Sequence, residues 1–329
     1  MKTFRAYRLS HNAQGQRPDG RVVETSLNEL SEGNVVVRVA YCALNYKAAL
    51  ANAGTHKLIR DFPRIGGAEI IGVVASSDDP RFSPGDVVQN TGHSVGIDHD
   101  GGFSQYARLR GEWLLHLPRD VDLFEAAAIG GNGLCAAMSI HRMEQNGLTP
   151  AAGPVMVTGA TGGVSTLAIE MLSQLGYQVA ALTGKPDATG LLQRLGAGEI
   201  IDSNTQEMGQ RALEQARWAG AIDSVGGETL AWLTRSMLPG GVIASIGNAG
   251  GRELVTTVMP FILRGVTLLG IAAYPMAMRV QLWRRIQSEM RPRHLREYTR
   301  VISLEEVPEH LDRMLARQTR GRILVAPGG

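Results

Sequence analysis

The sequence predicts an α/β protein in two parts: a β-rich first part, then a parallel sheet with helices on both faces. Three observations carry this. Short β-branched runs, "NVVVRVAYCAL", "AEIIGVVAS" and "GDVVQN", fill the first third, punctuated by turn residues such as "DDPRFSPGD". Further on, apolar strands alternate with amphipathic helices, the pattern of a parallel sheet. Glycine, at 40 of 329 residues, clusters between those strands, as in "GATGGVS" and "PGGVIASIGNAGG", where the backbone must come close to something.

The elements follow in order. "LFEAAAIGGNGLCAAMSIHRM" has helical spacing. The strand "PVMVTG" precedes the helix "GGVSTLAIEMLSQLG", "YQVAALTG" precedes "DATGLLQRLG", "EII" precedes a helix over "QEMGQRALEQA", and "GAIDSV" precedes "GETLAWLTRSML". The strands "GGVIASIG" and "VTLLGIAA" come next. Near-continuous apolar runs such as "VMV" and "VIASI" suit strands buried on both sides. The end, "LEEVPEHLDRMLARQTRGRILVAP", predicts a charged helix, a turn at Gly321 and a strand that returns to the first domain. The expected division is therefore 1–122 with 298–329, and 123–297.

Lys+Arg at 33 against Asp+Glu at 31 leaves the chain nearly neutral, which argues against a nucleic acid or a membrane surface as partner. The start, "MKTFRAYRLSHNAQGQ", reads as no signal peptide, and no apolar run approaches the roughly 18 residues of a membrane span. Two cysteines, Cys42 and Cys135, make no disulfide framework and read as reduced thiols of a cytoplasmic protein.

The main chemical signal is "VMVTGATGGVS" at 155–165. Only the middle glycine of a G-x-G-x-x-G pattern survives in the best register, but a buried strand precedes it and a helix follows. In such a turn the backbone approaches a pyrophosphate, which sits on unpaired N–H groups at the helix N-terminus. Thr161, Gly162, Gly163 and Val164 are the expected contacts, and Ser165 is small enough to replace the closing glycine. A plain tight turn is the competing reading. About 20 residues on, an acid would hold the ribose 2′-OH of NAD. Here Thr183-Gly184-Lys185 offers a hydroxyl and a cation, which favours the 2′-phosphate of NADP(H).

A metal reading fares poorly. A structural zinc needs four protein ligands and a catalytic one three. Two cysteines cannot supply a four-thiolate site, and Asp98-His99-Asp100 lies in a glycine-rich loop, "GHSVGIDHDGG".

The whole chain resembles the medium-chain dehydrogenase/reductase superfamily. Within it, "LNYKAAL", "IRDFPRIGG", "DDPRF", "VTGATGGV", "WAGAIDSVG" and "TTVMPFILRGVTLLGI" are similar to the YhdH/YhfP group of quinone oxidoreductase-like proteins, which includes AcuI-type acryloyl-CoA reductases. The resemblance implies a GroES-like catalytic domain followed by a Rossmann domain that binds NADP(H). Asn45 stands where zinc alcohol dehydrogenases have a Cys ligand, and Gly67-Ala68-Glu69 where they have Gly-His-Glu. The resemblance therefore implies a zinc-free enzyme, with Cys42 as a buried small hydrophobe.

The implied reaction is NADPH-dependent reduction of an activated C=C bond, in an acyl-CoA thioester such as acryloyl-CoA. A quinone acceptor is the alternative, and an NADPH-binding protein with little turnover is a third reading. Tyr46 is expected against the cofactor or as donor to the enolate oxygen, and Asn45 to orient substrate or cofactor. Lys47 reads equally as catalytic or as a surface residue. Ser203, Asn248, Ile262 and Ala273 are implied as further cofactor contacts, and Arg322 either as another or as a capping charge. The sequence departs from the group at Ala48, where the group has Asp, and at Gly270-Ile271-Ala272-Ala273, where it has Gly-Val-Asp-Ser. A homodimer through the edge strand 266–273 is implied as well.

Overall fold

The computed structural model describes residues 3–12, 17–272 and 275–328. The chain forms two compact units, one from Met1–Gly131 with Thr299–Gly329 and the other from Asn132–Tyr298.

The first unit is β-rich, as expected. It contains β1 (Phe4–Ser10), β2 (Asp19–Thr25), β3 (Val35–Ala43), the short helix α1 (Tyr46–Asn52), β4 (Arg64–Ile65), β5 (Glu69–Ser77), β6 (Val87–Thr91), β7 (Tyr106–Leu109) and β8 (Leu114–His116). A small sheet runs β2-β1-β4. A larger one runs β15-β16-β3-β5-β6-β8, with β7 also on β3; β15 (Thr299–Ile302) and β16 (Arg322–Val325) come from the chain's end. The expected return is thus made: Leu324 pairs with Ala43 and Val325 with Cys42. Between β15 and β16 lies α8 (Val307–Leu315), and Gly321 makes the turn with φ 58°. The core gathers alternate strand residues such as Val35, Val37, Val39 and Ile70 with Phe103, Leu109 and Ile323.

The helix α2 (Leu123–Gln145) carries the chain into the second unit. Asp122 caps its start, accepting from Phe124 N at 2.7 Å and Glu125 N at 3.1 Å. By length and composition α2 is long and apolar enough to cross a membrane, which corrects the expectation that no such run exists. It is broken at Gly130 (φ 48°, ψ −148°), and two-thirds of its apolar window is buried within the protein.

The second unit is a six-stranded, all-parallel sheet in the order β11-β10-β9-β12-β13-β14. In chain order its elements are β9 (Val155–Thr158), α3 (Gly163–Gln174), β10 (Val179–Thr183), α4 (Thr189–Arg194), β11 (Ala197–Asp202), β12 (Trp218–Asp223), α5 (Gly227–Ser236), β13 (Met237–Ser245), α6 (Met259–Arg264), β14 (Thr267–Gly270) and α7 (Met276–Gln287). The central strands β9, β10 and β12 are buried at every position, as their apolar runs require.

One expected helix is missing. "QEMGQRALEQA" at 206–216 is irregular. Gly209 takes a left-handed φ of 62°, and Glu214 Oε1 caps Arg211 N at 2.7 Å. The backbone of Glu214 bonds outward instead, its N to Arg235 O at 2.9 Å and its O to Arg264 Nη2 at 2.6 Å. Tertiary hydrogen bonds outweigh the helical spacing here.

Candidate active site

In the second unit the residues of the glycine-rich turn meet at the carboxyl ends of β9, β10 and β12. Gly159 turns sharply (φ 56°), and a Cβ there would lie 2.5 Å from Ser224 Oγ. Gly162 is the N-cap of α3 and supplies no side-chain cap, so the first-turn N–H groups, including those of Gly163 and Val164, lack a capping side chain. Helix dipole and N–H groups there suit an anion. Thr161 is buried behind the turn. Ser165, in place of the closing glycine, is fully buried and donates its hydroxyl to Thr158 O at 2.9 Å. Close packing of helix on strand is kept by a hydrogen bond.

Sequence reasoning missed the brace beneath this turn. Asp223, at the end of β12, accepts from Thr158 Oγ1 at 2.6 Å, Gly226 N at 2.8 Å and Val225 N at 3.3 Å. Ser224 donates its N–H to Thr158 Oγ1 at 3.1 Å and its hydroxyl to Thr158 O at 2.8 Å. Asp223 is fully buried, and desolvation raises its pKa against the lowering effect of those donors. The signal was the polar "DS" closing the apolar run "WAGAI".

The end of β10 presents Thr183, Gly184 and Lys185. Thr183 Oγ1 accepts from Lys185 N at 3.2 Å, and Ser203 N donates to Thr183 O at 2.9 Å. A Cβ on Gly184 would lie 3.1 Å from Ser203 Oγ, so that hydroxyl stands beside the glycine. Asp202 is turned back on its own loop, accepting from Asn204 N at 2.8 Å and Asn204 Nδ2 at 2.9 Å. The structure thus gathers Thr183, Gly184, Lys185 and Ser203, a donor set that fits a phosphate. Asn248 is exposed in the loop after β13, and Ile262 is exposed on α6. Ala273 lies outside the described residues.

In the first unit the β3–α1 junction brings Asn45, Tyr46 and Lys47 together. Tyr46 is the first residue of α1 and is 37% exposed; Lys47 is exposed beside it. Asn45, expected to orient substrate or cofactor, is engaged through both atoms of its amide. Its Oδ1 caps α1 by accepting from Ala48 N at 2.8 Å, and its Nδ2 donates to Glu69 Oε1 at 3.3 Å. Ala48, in place of the group's Asp, is buried in the core. Arg322, expected as a cofactor contact or a capping charge, is held among residues of the first unit. Its side chain is wholly buried, and Nη2 reaches Glu69 Oε2 at 2.9 Å. Glu69 is the residue sequence reasoning undervalued, since it was read only for the missing histidine beside it.

Cys42 is fully buried, its thiol pushed well up by desolvation and by the charge of Glu69. It packs where a Cβ on Gly67 would lie, 2.6 Å from its sulfur.

Comparison with known proteins matches residues 163–288 to the family described as zinc-binding dehydrogenase and 31–119 to the alcohol dehydrogenase GroES-like domain. Over 326 residues the chain is 42% identical to YhfP of Bacillus subtilis, covering 98% of each. Over 325 residues it is 39% identical to the acrylyl-CoA reductase AcuI of Ruegeria pomeroyi, again 98% of each. Among solved structures, Escherichia coli K-12 YhdH with bound NADPH superposes with a TM-score of 0.93 at 39% identity, covering 98% of this chain and 99% of that one.

Zinc does not fit this chain. Asn45 offers a neutral amide whose oxygen already caps a helix, Ala68 offers no donor, and Glu69 is paired to Arg322. Among the described residues no three His, Cys, Asp or Glu side chains gather to hold a metal. The near-full-length identity to YhfP and AcuI decides the lineage: the chain belongs to the medium-chain dehydrogenase/reductase superfamily, in its quinone oxidoreductase-like YhdH/YhfP group.

Proposed function

We propose that this oxidoreductase reduces the activated C=C bond of an α,β-unsaturated, acryloyl-CoA-like thioester with NADPH. The observation that carries the cofactor choice is the end of β10, where Thr183, Lys185 and Ser203 offer donors around Gly184 and Asp202 is folded back. The thioester reading is supported by the 39% identity to AcuI of Ruegeria pomeroyi.

When bound, NADPH supplies a hydride to the β-carbon of the acceptor. The chain's own residues hold and polarise. The α3 N-terminus at Gly162–Val164 neutralises the pyrophosphate. Lys185 and the hydroxyls of Thr183 and Ser203 hold the 2′-phosphate. The Tyr46 phenol donates to the thioester oxygen as enolate charge develops on it, an interaction strongest in the transition state. The α-carbon then takes a proton from solvent water, which balances the hydride added at the β-carbon. Lys47 stays at the exposed rim.

We infer a homodimer for the same enzyme. β14 ends the parallel sheet, and the adjoining segment exposes Val255 (78%), Val258 (66%), Ile262 (68%) and Leu263 (60%). An edge strand that pairs on one side alone among the described residues, beside exposed apolar side chains, suits a second copy. We place the protein in the cytoplasm, in keeping with a chain whose two cysteines, Cys42 and Cys135, are too few for a disulfide framework.

The test is NADPH oxidation with acryloyl-CoA, crotonyl-CoA and a benzoquinone in parallel, repeated with NADH. Acryloyl-CoA turnover with NADPH preferred is the expected result. Faster quinone turnover would replace the thioester assignment, and no turnover with any acceptor would remove the reductase reading.

A further inference from the structure

We infer that Glu69 and Arg322 form a positioning pair that fixes the start of α1, and through it Asn45 and Tyr46, for the reaction proposed above; the inference rests on that reading. Neither residue reaches the reacting atoms. They act through Asn45.

The pair begins at the break in α2. Gly130, with φ 48° and ψ −148°, interrupts the helical ladder and leaves backbone groups without their usual partners. Arg322 takes the carbonyls: Nε donates to Ala128 O at 2.9 Å and Nη2 to Ala127 O at 3.2 Å. Glu69 takes the amide: Gly131 N donates to its Oε2 at 3.0 Å. One ion pair thus caps both sides of the break. A Cβ on Gly130 would lie 2.7 Å from Arg322 Nη2 and 2.9 Å from Glu69 Oε2, so the glycine makes room for it.

The second carboxylate oxygen faces the catalytic side. Glu69 Oε1 accepts from Asn45 Nδ2, and Asn45 Oδ1 holds Ala48 N, which fixes the first turn of α1 and therefore the residue at its first position, Tyr46. The sheet sets this up. Glu69 pairs with Ala43 in the β3–β5 register, and Leu324, two residues after Arg322, pairs with Ala43 on the other side. Both charged residues are thereby delivered beside the β3–α1 junction.

Stability alone explains this poorly. A buried ion pair is weak evidence for stability, since apolar residues of similar volume often do as well. Arg322 Nη1 is also buried with no hydrogen-bond partner among the described residues, which an apolar replacement would avoid. A polar link that ends on the cap of the helix carrying Tyr46 is what an apolar pair could not provide.

The test is Glu69→Gln, which keeps size but removes the charge and one acceptor. We expect kcat to fall on the order of 10- to 100-fold, because reacting groups are displaced rather than lost. We expect the Kd for NADPH to stay within about threefold, and amide exchange at Ala48 to quicken about tenfold as the cap loosens. Asn45→Ala should give a similar loss of kcat, and the double variant little more, since the two act in series. Losses that multiply in the double variant, or unchanged exchange at Ala48 in folded Glu69→Gln, would overturn the pair. If the wild-type chain reduces none of the acceptors, the reading of the reaction fails by itself, and Ala48 exchange still decides the pair. If Glu69→Gln does not fold, Asn45→Asp sets a second carboxylate against Glu69. Faster amide exchange at Gly131 then supports the link, and unchanged exchange overturns it.

Discussion

Thr158 donates its hydroxyl to Asp223 at 2.6 Å, and both side chains are fully buried. One lies at the end of β9 and the other at the end of β12, so the bond ties the strand that leads into the glycine-rich turn to its neighbour in the sheet. Replacing Asp223 with Ala leaves the Thr158 hydroxyl and the N–H groups of Val225 and Gly226 without this acceptor. A loss of about 2–3 kcal/mol is expected in urea denaturation, with weaker NADPH binding.

The same residue predicts a pH dependence. Burial raises the pKa of Asp223 in the folded protein, so the folded state binds the proton more tightly than the unfolded chain. The stability this protonation contributes is complete below the unfolded value, about pH 4, and is lost as pH rises through the raised folded value. Relative to Asp223→Asn, which does not titrate, the wild type should lose stability as pH rises through that window. A difference that stays flat with pH would show that the carboxylate does not titrate abnormally.

Lys185→Glu tests the cofactor assignment. A carboxylate beside Gly184 repels the 2′-phosphate and can accept from a ribose 2′-OH. NADPH affinity should fall on the order of tenfold or more, with NADH affinity changed far less. Fluorescence titration with both nucleotides reads this, and equal losses would remove Lys185 from the 2′-phosphate site.

Gly130→Ala should destabilise the protein by about 2–4 kcal/mol, because its φ and ψ suit glycine alone and the new methyl meets the Arg322–Glu69 pair. Gly85→Ala makes a control: its φ of 93° is also left-handed, but nothing lies within 4 Å of the added Cβ. A larger loss at Gly130 in parallel denaturation curves isolates the contribution of the contact.

The dimer is tested at Val258 and Leu263, both largely exposed. Sedimentation of the wild type should give a dimer at micromolar concentration, and Val258→Asp with Leu263→Asp should shift it to monomer with the thermal transition of the subunit retained. A wild-type monomer at that concentration would end the proposal.

Much of this was legible in the sequence because its causes are local. Alternating β-branched runs marked β3, β5 and β6, and strand–helix alternation marked the parallel sheet. The glycine turn at 159–163 stood out by residue type, since a tight turn with a left-handed residue needs glycine, and the Thr183-Gly184-Lys185 triplet stood out as a cluster of donors at a strand end. The failed helix at 206–216 had the right spacing but not the partners, because its backbone is bonded to Arg235 and Arg264 from distant segments.

The sequence by itself determined the two-part α/β architecture, the glycine-rich turn after β9 and an amide and a methyl at Asn45 and Ala68. Tertiary structure alone decided what Asn45, Glu69 and Arg322 do. Arg322 lies 253 residues from Glu69, and no periodicity or motif links positions so far apart. Only the pairing of β16 and β5 on either side of β3 brings guanidinium and carboxylate together at the break in α2, where the backbone groups freed by Gly130 need them.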